Sequence, residues 1–158
     1  RYQMMAPNTL PYAYTCLTSE LTNINEETLT AVYGNHMSGK SNADVEYLNI
    51  RNVSILTFFP NGIENFFPNL TAIQIYHCNI STLTGHELDV FPNLTWFALQ
   101  GQSQLERIPG NLFTNTPMLH SLWFYYNNIK HVGENLLTSL SQLTYAHFGS
   151  NYCVNQAA

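Results

Sequence analysis

Apolar and polar positions along this chain fall into a frame that returns five times. The segments beginning at Val45, Leu70, Leu94, Leu119 and Leu143 read VEYLNIRNVSILTF, LTAIQIYHCNISTL, LTWFALQGQSQLERI, LHSLWFYYNNIKHV and LTYAHFGSNYCV. Their starts lie 25, 24, 25 and 24 residues apart. With each start as position 1, apolar residues recur at positions 1, 4, 6 and 11, and position 9 holds Val53, Cys78, Gln102, Asn127 and Asn151. The third copy needs one inserted residue near Gln102 to bring Leu105 and Ile108 into register. Positions 3 to 6 alternate as a short strand does, which turns 4 and 6 inward and 3 and 5 to the opposite face. The limbs that return to the next strand carry FFPNL, FPNLT and TPMLH, where a proline ends the limb. Phe67, Phe91, Leu112, Phe113, Leu136 and Leu140 are expected to fill the side behind the strands.

A period in the range of about 20–29 residues with this frame is that of the leucine-rich repeat. The expected fold is therefore an α/β-type solenoid: a leucine-rich-repeat horseshoe with a parallel concave β-sheet and irregular or 3-10 convex limbs. A single repeat cannot bury its apolar side, so stacked neighbours must make the core. Residues 45–158 supply the five repeats, and residues 1–44, which do not fit the frame, are expected to form an N-terminal cap. Within the cap, Pro7, Pro11 and Cys16 fall outside the pattern, and Thr28 to Tyr33 is the stretch expected to form a strand. The first residue is Arg rather than Met, which predicts a processed or incomplete start, and the five residues after Cys153 predict an uncapped end face.

Composition narrows the function. Apolar residues make up 45% of the 158, enough for a core, but charged residues only 9%, with a formal net charge of −5. Five scattered Lys and Arg cannot neutralise a phosphate backbone or an anionic membrane, so neither is an expected partner. No apolar run is long enough to span a bilayer. The 19 asparagines stand in for missing charge and make sugars or partner subunits an expected cover for the surface.

Four patterns invite chemistry. Gly34 to Ser41 matches the phosphate-loop pattern GxxxxGK[ST], but SNADVEYLNI enters the first repeat strand at once and leaves no room for the helix whose amides would cradle phosphate. Of the six histidines, His120 and His147 fall in adjacent repeats yet about 10 Å apart along the strands, so no metal site is expected. Acids are few and dispersed, no catalytic constellation is readable, and neither enzyme activity nor a cofactor is expected. Cys78 at position 9 reads as a buried thiol, whereas Cys16 and Cys153 stand at opposite ends, about 20 Å or more apart and beyond disulfide reach. Each is expected to bond to residues outside this sequence or to another molecule. Asn52, Asn69, Asn79 and Asn93 begin N-x-[ST] sequons at outward positions or limb turns, and all four are candidate glycosylation sites.

The positions facing away from the core on the strand side carry Tyr47, Tyr76, His77, Trp96, His120, Trp123, Tyr125, Tyr126, Tyr145 and His147. Such rings offer contact area to a ligand, and they also stack into cross-strand ladders that stabilise the sheet itself. The runs GNHMSGKSNADVEYLNI, LTFFPNGIENFFPNLTAI and NNIKHVGENLLTSLSQL resemble the secreted leucine-rich-repeat proteins of insects and other arthropods. The likeness spans residues 12–155 and rests on Gly34, His36, Gly39, Lys40, Asn42, Asp44 and the NxC end at Asn151 and Cys153. It implies an extracellular, non-enzymatic recognition or structural role. The expectation is a secreted glycoprotein that binds a protein or glycan through its aromatic concave sheet; the alternative is a structural homo-oligomer stacked end to end.

Overall fold

The computed structural model describes residues 12–21 and 28–152, together with the backbone of a short strand, β1 (Tyr2–Met4). It is a parallel-sheet solenoid of about four turns with little helix. The main sheet runs β1, β2 (Tyr14–Thr18), β3 (Tyr47–Arg51), β4 (Ala72–Tyr76), β5 (Trp96–Gln100), β7 (Ser121–Trp123) and β9 (Tyr145–His147). From β2 onward every pairing is parallel, and β1 adds an antiparallel edge. Register follows the repeat frame residue for residue: Leu48 pairs with Ile73, Ile73 with Phe97, Phe97 with Leu122, and Leu122 with Ala146. A second, two-stranded sheet on the return limbs pairs β6 (Arg107–Ile108) with β8 (His131–Val132), and a single α-helical turn among the described residues is α1 (Ile63–Phe66).

Positions 1, 4 and 6 are inside. Val45, Leu70, Leu94 and Leu119 are buried, as are Ile73, Ile75, Phe97, Leu99, Leu122 and Phe124. The rings of Phe113 and Phe124 stand 6.0 Å from that of Phe97, edge to face, and all six residues expected behind the strands are buried. Burial falls away at β9, where Leu143 and Phe148 are half-buried and Ala146 is exposed. In the first repeat the frame slips by one: Leu56 is buried, whereas Ile55, at position 11, is 56% exposed.

Position 9 fastens one turn to the one before it. The side-chain amides of Gln102, Asn127 and Asn151 each donate to the position-6 carbonyl of the preceding repeat: Ile75 (3.3 Å), Leu99 (2.8 Å) and Phe124 (2.6 Å). Their oxygens accept the backbone N–H of Ile80 (3.0 Å), Gln102 (2.8 Å) and Ile129 (3.2 Å). A backbone group this deep costs about 1–3 kcal/mol if left without a partner, so the amides are required where they stand. Val53 and Cys78 take the same position as buried apolar groups.

The cap differs from its expectation. Thr28 to Tyr33 forms no strand, only an isolated bridge from Thr28 to Asn61, and the strand beside β3 is β2 instead. Tyr14 decides this: it is 1% exposed, and its hydroxyl accepts the Met37 N–H (3.0 Å) and pairs with His36 Nδ1 (3.1 Å). The phosphate-loop look-alike thus folds onto Tyr14. Lys40 lies 5.5 Å from its ring centre and pairs with Asp44 at 3.2 Å. A 3-10 turn, Asn42–Asp44, follows Lys40, with the Asp44 carboxylate taking the Ser41 hydroxyl and N–H. Those bonds and Lys40 hold Asp44 below the usual aspartate range, so its contribution to this turn is present above that range and is lost as pH falls through the lowered value.

On the limbs, Gly110 and Gly133 bring two backbones together: a Cβ on Gly110 meets the Glu134 carbonyl oxygen at 2.0 Å. We expect Gly110→Ala to break the β6–β8 pairing. Asn127→Ala should lower stability by about 2–4 kcal/mol, because it strands the Gln102 N–H and the Leu99 carbonyl together. Cys78→Ala, which breaks no amide bridge, should cost about 1 kcal/mol. Urea titration of the three variants checks the ranking.

Candidate functional site

Positions 3, 5 and 7 of successive strands face away from the core and build a second surface, whose two halves differ. Over β3 to β5 it is sealed. Tyr47 and Trp96 are each 4% exposed, and their rings meet edge to face at 6.0 Å across Ala72, with Ala98 and Ala13 also buried. Small residues at positions 3 and 5 leave room for the two large rings between them. Beside them runs a chain of side-chain hydrogen bonds. Asn49 Nδ2 donates to the Tyr47 hydroxyl (2.9 Å) and to Gln74 Oε1 (3.0 Å), and Gln74 Nε2 donates to Gln100 Oε1 (2.8 Å). Burial pushes the Tyr47 hydroxyl well above the usual tyrosine range, against a smaller opposing pull from Asn49, so it stays protonated and donates to Gln74. Asn49 Oδ1 and Trp96 Nε1 are buried with no hydrogen-bond partner among the described residues.

Over β7 and β9 the surface opens. Trp123 donates from Nε1 to Ser121 Oγ (2.9 Å), and its ring lies 4.5 Å from Tyr145 and 5.4 Å from His147. His147 stands nearly parallel to Tyr145 and edge to face with Tyr125 at 4.9 Å. Tyr145 is 42% exposed and Trp123, Tyr125 and His147 are half-buried. His120, exposed at position 2, lies toward the opposite end of the strands from Tyr125.

A third feature lies at position 8, just past each strand. Asn52, His77, Gly101, Tyr126 and Ser150 all have positive φ, between 50° and 70°. A left-handed residue is what swings the chain off the sheet and aims position 9 inward. Glycine takes that conformation freely, whereas an L side chain costs roughly 1–2 kcal/mol there. Tyr126 is 60% exposed and packs on Tyr125 at 4.9 Å; His77 packs on Tyr76 at 4.2 Å, and Tyr76 is 39% exposed.

The remaining candidates are spread over the fold. Cys16 occupies an inward position of β2 beside Leu48 and is 6% exposed; Cys153 lies outside the described residues. Burial raises the Cys78 thiol above its ordinary value and keeps it protonated. Among the described residues no three His, Cys, Asp or Glu converge on a metal-sized site, and no helix is long and apolar enough to cross a membrane. Asn52 and Asn93 are exposed, with no side-chain hydrogen bond to a described residue. Asn69 is exposed but donates to the Ala43 carbonyl (2.8 Å), and Asn79 is half-buried and donates to that of Ser54 (2.6 Å). The amide chain Asn49–Gln74–Gln100 is absent from the sequence expectation; its signal is a polar side chain at position 5 or 7 of three successive repeats. No protein-family model and no curated protein matches the chain.

Substitutions separate support from contact. Leu122→Ala empties an inward position and should cost about 2–5 kcal/mol. Trp123→Ala should cost less, about 1–2 kcal/mol, from its lost ring contacts. Tyr126→Gly should stabilise the fold by about 0.5–1 kcal/mol, the relieved strain less the added chain entropy. Denaturant midpoints of the three variants decide whether the open half is a ladder that holds the sheet or a surface it carries.

Proposed function

We propose that this chain is a leucine-rich-repeat recognition module of a secreted glycoprotein, resembling those of arthropods, which binds a protein or glycan through its concave face without chemistry or cofactor. The observation that carries this reading is the asymmetry of that face. Its N-terminal half is closed by its own side chains, whereas Trp123 and Tyr125 stand partly open on β7, whose inner side is fixed in the core, with Tyr145 and His147 partly open beside them on β9. Rigid aromatic side chains lose little entropy on binding and give large contact area, as central anchors of interfaces do. The four sequons agree with an extracellular life, and Asn52 and Asn93 hold the most open amides.

End-to-end assembly is the second reading. In its favour are the exposed Ala146 and half-buried Leu143 and Phe148 beside β9; against it, the expected lock at Cys16 is inside the fold. A ladder of reducible multimers on non-reducing gels of natural material would establish it in place of the first.

Two measurements test the first reading. Glycosidase treatment of natural material should convert Asn52 and Asn93 to Asp; four unmodified asparagines would contradict secretion. A photo-crosslinking residue at Tyr145 should capture a partner from the extracellular fluid that the same residue at Leu137, on the convex side, does not. Equal capture from both faces refutes concave recognition.

A further inference from the structure

We propose that the cavity between the N-terminal cap and the first repeat binds an uncharged, largely aliphatic small molecule carrying one hydroxyl or carbonyl oxygen. The site lies behind the sheet and is separate from the concave face. Its volume is about 510 Å³, inside the range of about 300–1,000 Å³ that holds drug-sized ligands. Leu48, Ile50, Leu56, Ile63 and Phe67, all buried in the core, line it. Leu21, Leu29, Val32 and Phe58 line it too, as half-buried apolar side chains packed against that core.

The repeat frame accounts for the space. The limbs that follow β4, β5 and β7 bring in Phe91, Phe113 and Leu136, which are buried and close the core behind the strands. The limb that follows β2 passes through residues 28–33, and its side chains there are smaller or turned to water. Leu29, Ala31 and Val32 are half-buried, and Tyr33 is 87% exposed. Protein interiors hold few voids larger than a water molecule, and an apolar void forfeits the contacts of its lining. An apolar ligand restores them.

The same limb is the element that can open. It is tied at two points. At one, the Leu29 N–H donates to the Asn61 carbonyl (2.8 Å) beside Gly62, where a Cβ would meet the Leu29 oxygen at 3.3 Å. At the other, His36 and the Met37 N–H are held by the Tyr14 hydroxyl. Between these ties, residues 30–35 make no hydrogen bond to a described residue. A segment with so few bonds and so little burial opens locally far more readily than the strands do. It gives a ligand entry without unfolding a repeat.

The lining sets the ligand class. Glu20 is the one charged side chain among the described residues around the cavity, and it is exposed. A carboxylate or phosphate would find no cation there, and a single acid in water adds little for an amine. The Thr28 and Thr30 hydroxyls border the cavity and make no hydrogen bond to a described residue, so each has one to share with a ligand oxygen.

The test uses the folded chain, with decanol and decanoate as probes read by displacement of an uncharged naphthylamine dye and by melting temperature. Decanol should bind with Kd at or below about 100 μM and raise the melting temperature. Decanoate should bind about tenfold more weakly or worse. Val32→Trp, which places a ring in the cavity, should abolish decanol binding without lowering the melting temperature. Phe58→Ala should weaken binding about tenfold, and Trp123→Ala should leave it unchanged. Absence of decanol binding overturns the site, and a lower melting temperature for Val32→Trp would then show the space already filled. Equal binding of decanoate overturns the uncharged class. Binding that survives both cavity variants, or that Trp123→Ala removes, puts the ligand elsewhere and overturns the cavity.

Discussion

Each turn of the solenoid must leave the sheet and come back, and leaving it turns backbone groups toward a core that water does not enter. That is the demand on which the rest depends. A left-handed residue at position 8 makes the departure, and a side chain at position 9 then faces inward beside the unpaired N–H and C=O groups of the turn before. Gln102, Asn127 and Asn151 satisfy a donor and an acceptor at once, which no apolar residue can do. The bridge is always to the preceding turn, so it fixes stacking order and strand register as well as closing the core. The longer Gln102 side chain reaches the same two groups across a turn that carries an inserted residue.

With the inner face fixed in this way, the outer face is free to vary, and it does so by residue size. Where positions 3 and 5 hold Ala72 and Ala98, Tyr47 and Trp96 meet edge to face and seal the sheet, at the cost of an indole N–H with no partner among the described residues. Where the same positions hold Trp123, Tyr145 and His147, the rings crowd one another and stay partly in water. The difference lies in volume, since both halves share one backbone.

This explains what the sequence could and could not tell. The apolar frame at positions 1, 4 and 6 gave strand register correctly, because burial on one face of a strand leaves a period of two that a single residue's slip would invert. It failed at Ile55 and Leu56, where an extra residue in the turn moves the buried position, and apolar neighbours give no sign of which is inside. It failed again in the cap. Thr28 to Tyr33 has strand-like composition, but β2 wins the edge because Tyr14 finds both a buried slot and hydrogen-bond partners in His36 and Met37, a long-range match invisible to local pattern. The rings at positions 3, 5 and 7 follow from alternation, yet whether each is open or buried depends on the neighbour one strand away, 24 or 25 residues distant.

Position 8 is where demand and sequence part company. The turn asks for glycine in every repeat, and only Gly101 answers; Asn52 is the next most tolerant type. His77, like Asn52, is of a type that tolerates this conformation, whereas Tyr126 is a poor choice for the backbone and is exposed, so no core packing offsets its strain. Each instead lies against the tyrosine before it, which stiffens a pair of rings at the rim. Between them Gly101 gives its room to the His77 ring, which a Cβ there would meet at 3.0 Å.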